Sequence, residues 1–432
     1  MENINKQLTA HVHGGIIPKG RVKVSGAKNA ATRLLAASLI SDESVVLNNF
    51  PIDLVDAQYK IDFIRQIGGK VEVNTERESL TISTSDVQNV ILDNYDYPIR
   101  TTYLLVAGLL KKFGIARIPY PGGCKIGSRG YDLHIMVWEK LGCTVTEEEN
   151  FIIVEAKNGL VGGEIDFPIS TIGGTESALI CASIIEGETI IRNAYISPEV
   201  SSLIDFLKTL GVNIEVAGNS FIKVIGKRYL AGSIFSVIPD RIEALTWIVL
   251  AVISGGDILI EDVPIDFMEI PLIHLKDAGI NYFQNSESIY ITPSCQKNGE
   301  VQPFELACGT HPGVISDMQP FYVLLGLHAK GVSRVYDYRY PERTKYLEEL
   351  SKFYANSLSW ENGAITITGK NKPAPAVTTS TDLRGSMALL MAALIADGES
   401  EIRNVEMALR GYNRLLPKLR NLGYKIDLQE VN

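Results

Sequence analysis

The chain has 432 residues, 46% of them hydrophobic, with 41 Lys and Arg against 50 Asp and Glu and a formal net charge of −9. That length allows two or three domains. The acidic balance excludes a general nucleic-acid binder, so any anionic ligand must meet a local cluster of cations. Five Cys at irregular spacing, with no CxxC among them, exclude a disulfide framework and a zinc site and fit a reducing compartment.

The opening stretch, MENINKQLTAHVHGG, carries no apolar signal core. Apolar runs such as 387–396 reach about ten residues, too short to cross a bilayer. A soluble, cytoplasmic protein is expected, without a membrane partner.

From there one pattern recurs six times, with junctions at Asp42, Gly114, Gly187, Gly256, Gly331 and Gly398. The spacing is about 70 residues, the mark of a repeat architecture. Each unit opens with a helix apolar nearly all round, predicted over 29–40, 101–110, 175–185, 243–253, 318–329 and 386–396. Such helices belong inside a core. Short β-branched strands follow, for example 45–47, 189–191 and 258–260. A second helix then carries a one-sided stripe, as in Ile61, Ile64 and Ile67, or Leu416, Leu419 and Leu422. Gly68, Gly142, Gly211, Gly279 and Gly423 close five of these helices, and Asn356 stands in for the missing sixth. Hairpins such as 70–83 and 212–225 end the units.

Six units exceed what one core holds. Two α/β domains of three units are therefore expected, 28–238 and 1–27 plus 239–432, with Pro239-Asp240 at the boundary.

The starts of the apolar helices are unusually polar: Lys28-Asn29, Arg100, Thr171-Ile172-Gly173, Asp240-Arg241, Asp317 and Asp382-Leu383-Arg384. Free N–H groups and a partial positive charge make such ends anion sites. Simple capping by Asn, Asp and Thr is the competing explanation for any one of them. A Gly-rich loop, Pro121-Gly122-Gly123-Cys124-Lys125-Ile126-Gly127-Ser128-Arg129, interrupts the second unit. Its two cations favour a reactive thiolate at Cys124, against the alternative of a structural Cys in a turn. The other four Cys read as packing residues.

Ser25-Gly26-Ala27-Lys28-Asn29-Ala30-Ala31 and Pro121-Gly122-Gly123-Cys124 resemble the signatures of the UDP-N-acetylglucosamine enolpyruvyltransferases. Asp132-Leu133-His134, Pro239-Asp240-Arg241-Ile242-Glu243, Asp317-Met318-Gln319, Asp382-Leu383-Arg384 and Arg410-Gly411-Tyr412 continue the resemblance in the family's order. EPSP synthases share the repeat but lack the Cys loop. The resemblance implies two inside-out α/β barrel domains, each of three βαβαββ repeats around buried helices, with the active site in the cleft between the domains. It implies transfer of the enolpyruvyl group of phosphoenolpyruvate to a sugar hydroxyl with release of phosphate, through a tetrahedral ketal. No metal or organic cofactor is implied. The implied partners are phosphoenolpyruvate and a sugar-nucleotide or nucleotide acceptor, handled by a monomer or weak homo-oligomer.

By the same resemblance Lys28, Arg129 and Arg410 hold the phosphate, Arg343 and Arg384 the carboxylate, and Asn29 lies beside them. Arg suits forked recognition of such groups and Lys a point contact. Cys124 matches the proton donor and the residue that fosfomycin labels, Asp317 the base or orienting group for the acceptor hydroxyl, and Asp382 a proton-handling carboxylate. Asn29, Arg100, Arg129, Gly130, Tyr131, Asp132, Leu133, Thr171, Ile172, Gly173, Asp317 and Arg339 fall at acceptor contacts. Arg343 and Arg410 as plain surface charges, Asp382 as a plain cap and His134 as a hydrogen-bonded structural residue are the blander alternatives.

The departures gather on the acceptor side. Arg129-Gly130-Tyr131-Asp132 replaces the family's Arg-Pro-Val-Asp. Glu406-Met407-Ala408-Leu409 stands where a His and an Asp usually precede Arg410, and Pro168 or Ile169 replaces a basic residue. A paralogue acting on another hydroxyl is therefore a second expectation. A non-catalytic scaffold is a third, disfavoured by the retention of Lys28, Cys124, Asp317 and Arg410.

Overall fold

The computed structural model describes residues 7–88, 100–120, 131–148 and 151–431, without the side chains of residues 100 and 101. These residues form two compact units, and the chain passes from one to the other between Ser25 and Gly26 and again between Ile238 and Pro239. One unit holds 7–25 with 239–431; the other holds the described residues of 26–238.

The apolar segments are helical and buried, as their composition requires. In the 26–238 unit they are Lys28–Ala37, Val106–Phe113 and Ile172–Ser183. In the other they are Arg241–Ser254, Gln319–Leu327 and Leu383–Ile395. Thirteen of the fourteen residues of Arg241–Ser254 are buried, so no face of that helix meets water. The expected starts at 101 and 318 shift because 3-10 turns, Arg100–Leu105 and Ser316–Met318, precede the α-helical parts.

Each repeat folds into its own sheet, and five of the six sheets share one strand order. Glu164–Asp166 runs parallel to Glu188–Arg192, which pairs antiparallel with Phe221–Ile225, which pairs antiparallel with Asn213–Ala217. The buried helix Ile172–Ser183 makes the crossover between the two parallel strands. The sheet of the second repeat has three strands among the described residues. Side chains alternate along these strands between inner and outer faces; in Ser79–Ser83, Leu80 and Ile82 are buried while Ser79, Thr81 and Ser83 are half-buried. In each unit three sheets thus turn their apolar faces onto the helices, the inside-out α/β arrangement.

Three exchanged strands close the units. Ser233–Ser236, after the third hairpin, pairs in parallel with Val45–Asn48 of the first repeat. At the other end Lys19–Lys23 pairs in parallel with Asp257–Glu261, and Leu8–His13 lies between Glu399–Arg403 and Lys425–Glu430. The glycines expected to end the outer helices all have positive φ, from 83° at Gly279 to 98° at Gly211, and Asn356 takes φ 59°. Each unit has its own apolar core. No helix among the described residues is long and apolar enough to cross a membrane.

Candidate active site

In the unit holding 239–431, charged side chains gather at the starts of the buried helices. Asp382 is the N-cap of Leu383–Ile395, and its Oδ1 accepts the backbone N–H groups of Arg384 and Gly385, each at 3.1 Å. The same oxygen accepts Nη2 of Arg343 at 2.9 Å. Arg343 Nη1 donates to Asp317 Oδ1 at 2.8 Å and to the Ser316 carbonyl at 2.9 Å. Arg343 is therefore neither a surface charge nor Asp382 a mere cap. One guanidinium, 3% exposed, bridges the starts of two buried helices.

Arg384 sits beside this bridge. Its Nε lies 3.7 Å from Asp317 Oδ2, and its guanidinium carbon stands 5.2 Å from the centre of the Tyr412 ring. Its Nη1 has no hydrogen-bond partner among the described residues, and neither has Nε of Arg343. Guanidinium groups only donate, so these are buried donors open to an anion. Burial opposes the charge on Arg343, but Asp382 and Asp317 outweigh it, and the guanidinium holds its proton more tightly than usual. For Arg384 burial is outweighed by Tyr412, Asp240 and Asp317. Asp240, the N-cap of Arg241–Ser254, has its pKa pushed up by burial while Arg384 pulls it down.

Arg410 is half-buried just after the short helix Glu406–Leu409. A Cβ on Gly411 would lie 2.2 Å from Leu383 Cδ2, so the missing side chain lets Arg410-Gly411-Tyr412 run against the start of Leu383–Ile395. Arg339 is exposed on the loop after Val332–Tyr336, outside the buried bridge.

In the 26–238 unit, Ala27 gives the start of Lys28–Ala37 no side-chain cap. Lys28 Nζ is 2.8 Å from Asp56 Oδ2. Asn29 Oδ1 lies 3.4 Å from Arg33 Nη1, and Arg33 Nε donates to Glu176 Oε1 at 2.9 Å. Lys60 is fully buried with Nζ donating to the Thr32 carbonyl at 2.6 Å. Burial, reinforced by the Arg33 charge, drives its pKa well below the usual lysine value.

Thr171 caps Ile172–Ser183 by accepting the Gly174 N–H at 3.3 Å. A Cβ on Gly173 would come within 3.0 Å of His134 Nε2, so this helix start packs on the helix Asp132–Lys140. His134 is buried, with Nδ1 2.6 Å from Ser177 Oγ and its ring 4.4 Å from that of Tyr103, which makes it structural. Tyr131 precedes Asp132–Lys140 and donates its hydroxyl to Glu147 at 2.9 Å; Asp132 is exposed and Leu133 half-buried. Arg100 opens the 3-10 turn Arg100–Leu105. Cys124, Arg129 and Gly130 lie outside the described residues.

The structure thus brings Asp317, Arg343, Asp382 and Arg384 together in one unit, while Lys28, Asn29 and the Thr171–Gly173 start lie in the other. Sequence reasoning missed Asp56, Lys60, Arg33 and Glu176, and also Glu243, whose Oε1 accepts Lys418 Nζ at 2.5 Å and Trp247 Nε1 at 2.9 Å. Arg33, Glu176 and Glu243 did carry a signal: each is a charge within a largely apolar, buried helix, and Glu176 is the one charge in Ile172–Ser183. Hollows of about 680 and 530 Å³ open at the other ends of the 26–238 helices, lined by residues such as Asp42, Lys111 and Arg228. Neither includes a residue singled out for chemistry.

A family model described as EPSP synthase (3-phosphoshikimate 1-carboxyvinyltransferase) matches residues 15–419. A UDP-N-acetylglucosamine 1-carboxyvinyltransferase of Wolbachia pipientis wMel is 34% identical over 415 residues, covering 95% of this chain and 96% of the relative. Among solved structures, the enolpyruvyl transferase NikO from Streptomyces tendae superposes with a TM-score of 0.88 at 23% identity, covering 99% of this chain and all of that one. An EPSP synthase from Acinetobacter baumannii superposes at 0.75 and 18% identity, covering 98% of this chain and all of that one. Motifs, repeat and matches agree: the chain belongs to the EPSP synthase family and is an enolpyruvyltransferase.

Proposed function

We propose that this enzyme transfers the enolpyruvyl group of phosphoenolpyruvate to the 3-hydroxyl of UDP-N-acetylglucosamine, the committed step toward peptidoglycan, in the cytoplasm. The observation that carries this reading is the buried pair Arg343 and Arg384, with guanidinium donors still open beside Asp317 and Asp382. Forked cations in a water-poor setting suit a small carboxylate. Lys28, Arg129 and Arg410 take the phosphate. Asn29, Arg100, Arg129, Gly130, Tyr131, Asp132, Leu133, Thr171, Ile172, Gly173, Asp317 and Arg339 take the acceptor.

In the addition step the acceptor oxygen bonds to the central carbon of phosphoenolpyruvate while the methylene carbon gains a proton from Cys124. Asp317, held by Arg343, orients the acceptor hydroxyl and receives its proton. Arg343 and Arg384 stabilise the charge that develops on the carboxylate side. In the elimination step the new methyl group loses a proton, the C–O bond to phosphate breaks, and Asp382 helps move protons. Relatives named for this reaction, at 33–34% identity over nearly the whole chain, support the reading.

A second reading, transfer to a different hydroxyl such as that of another nucleotide, is favoured by one observation. Glu406, in the segment where the family usually carries a His and an Asp, spends its carboxylate on the Leu8 backbone N–H at 2.9 Å. Phosphate release from phosphoenolpyruvate, measured with UDP-N-acetylglucosamine and a panel of nucleotides, decides between them. Release with the sugar nucleotide supports the first reading, and release only with other acceptors the second. No release with any would remove both. Cys124→Asp should keep turnover and abolish covalent labelling by fosfomycin; unchanged labelling would remove Cys124 from its role.

A further inference from the structure

Arg33 and Glu176 are charged residues within two largely buried helices. Arg33 lies one turn into Lys28–Ala37, and Glu176 one turn into Ile172–Ser183. Their side chains are 14% and 1% exposed and meet at 2.9 Å. Burying such a pair is costly and rarely the most stable solution, since apolar residues of similar volume do as well or better. A buried ion pair that only joins two helices is thus poorly accounted for by stability.

The remaining contacts of Arg33 indicate another use. Nη1 lies 3.4 Å from Asn29 Oδ1 and 3.1 Å from Thr32 Oγ1. The Thr32 hydroxyl proton is already committed to the Lys28 carbonyl at 3.0 Å, so that oxygen accepts from Arg33. A guanidinium has five donors and no acceptor. Whatever part of the Asn29 amide it touches must be the carbonyl oxygen. The orientation of an Asn amide is otherwise free to reverse, exchanging its donor and acceptor ends. Arg33 removes that freedom and leaves the NH₂ end of Asn29 for the ligand. A donor there suits phosphate, carboxylate and hydroxyl oxygens alike.

We propose that Arg33 and Glu176 form a positioning pair: Glu176 neutralises and aims Arg33, and Arg33 holds the Asn29 amide with its NH₂ toward the bound substrates. The proposal rests on the proposed function only for the role of Asn29. Neither member touches substrate. The pair also ties the helix start at Lys28-Asn29 to the helix that begins at Thr171-Ile172-Gly173, through side chains of both.

The test must separate orientation from charge balance. Arg33→Met alone strands a buried acid and is expected to be unstable, so the informative variant is Arg33→Met with Glu176→Met. It removes both charges and keeps the volume. It is expected to melt within a few degrees of the wild type, yet to show a KM for the substrate that Asn29 contacts raised about tenfold, with a smaller change in kcat. In an Asn29→Ala background the same double replacement should cause no further loss, because the group being aimed is gone. Wild-type kinetics in the stable double variant, or full additivity with Asn29→Ala, would overturn the proposal.

A readout independent of turnover is the side-chain ¹⁵N resonance of Asn29, expected to move in the double variant. An unmoved resonance also overturns the pair. A wild-type enzyme that releases no phosphate would instead count against the proposed function, and the resonance would still test the pair.

Discussion

At the scale of single residues, this enzyme places charge where an apolar core would be more stable. Arg343 carries two carboxylates and a carbonyl on one guanidinium. Arg343→Ala takes the cation from the buried Asp382 and the half-buried Asp317, and breaking such a network costs about 3–5 kcal/mol. Urea unfolding should show that loss, and Arg343→Lys should recover only part of it, because an ammonium cannot fork to both partners. Lys60 makes the opposite prediction. Burial pushes its pKa well below the usual lysine value in the folded state, while the unfolded chain binds a proton at that site up to about pH 10.4. Folding therefore releases a proton, and wild-type stability rises with pH between the depressed folded pKa and the unfolded one. Lys60→Met removes that dependence. Its gain over wild type should be largest at neutral or lower pH and fade as the pH approaches about 10. Urea midpoints for both proteins across that range would check it, and a gain that grows with pH would contradict the depressed pKa of the buried lysine.

At the scale of elements, apolar helices could be read directly from composition, because a helix without a polar face has only one place to go. Their exact starts could not be read. The residues Arg100–Leu105 and Ser316–Met318 wind as 3-10 turns, a difference of hydrogen-bond spacing that composition does not encode. The outer-helix glycines were legible for a local reason, the left-handed φ at each helix end. Gly14 is different. Its backbone N–H donates to the Gly398 carbonyl at 2.9 Å, and a Cβ there would lie 2.1 Å from the carbonyl oxygens of both Ala393 and Ala396. Those atoms are backbone and cannot step aside. Gly14→Ala should therefore cost about 3 kcal/mol, at the upper end for overpacking. A melting temperature equal to that of wild type would show that the strand Leu8–His13 can move off the end of Leu383–Ile395.

At the scale of the whole molecule, the strand exchanges decide which pieces can stand alone. Residues 26–238 contain every strand of their own described sheets, including the closing strand Ser233–Ser236. Residues 239–432 do not: Leu8–His13 is an interior strand of one of their sheets and Lys19–Lys23 an edge of another. Expressed alone, 26–238 should unfold cooperatively in urea. The fragment 239–432 should be insoluble or molten, because unpaired strands and an uncovered core face remain. Cooperative unfolding of 239–432 on its own would mean that the first 25 residues are dispensable to that core.

By itself the sequence determined the repeat, the burial of the six helices, the αL turns that end their outer partners and the family. These depend on composition, local φ preferences and motifs a few residues long. Only the tertiary structure decided which charges meet. Arg343 joins Asp317 and Asp382 across 26 and 39 residues, and Arg33 reaches Glu176 across 143. Such pairings are set by which helices lie side by side, and a buried charge takes whatever partner that packing supplies.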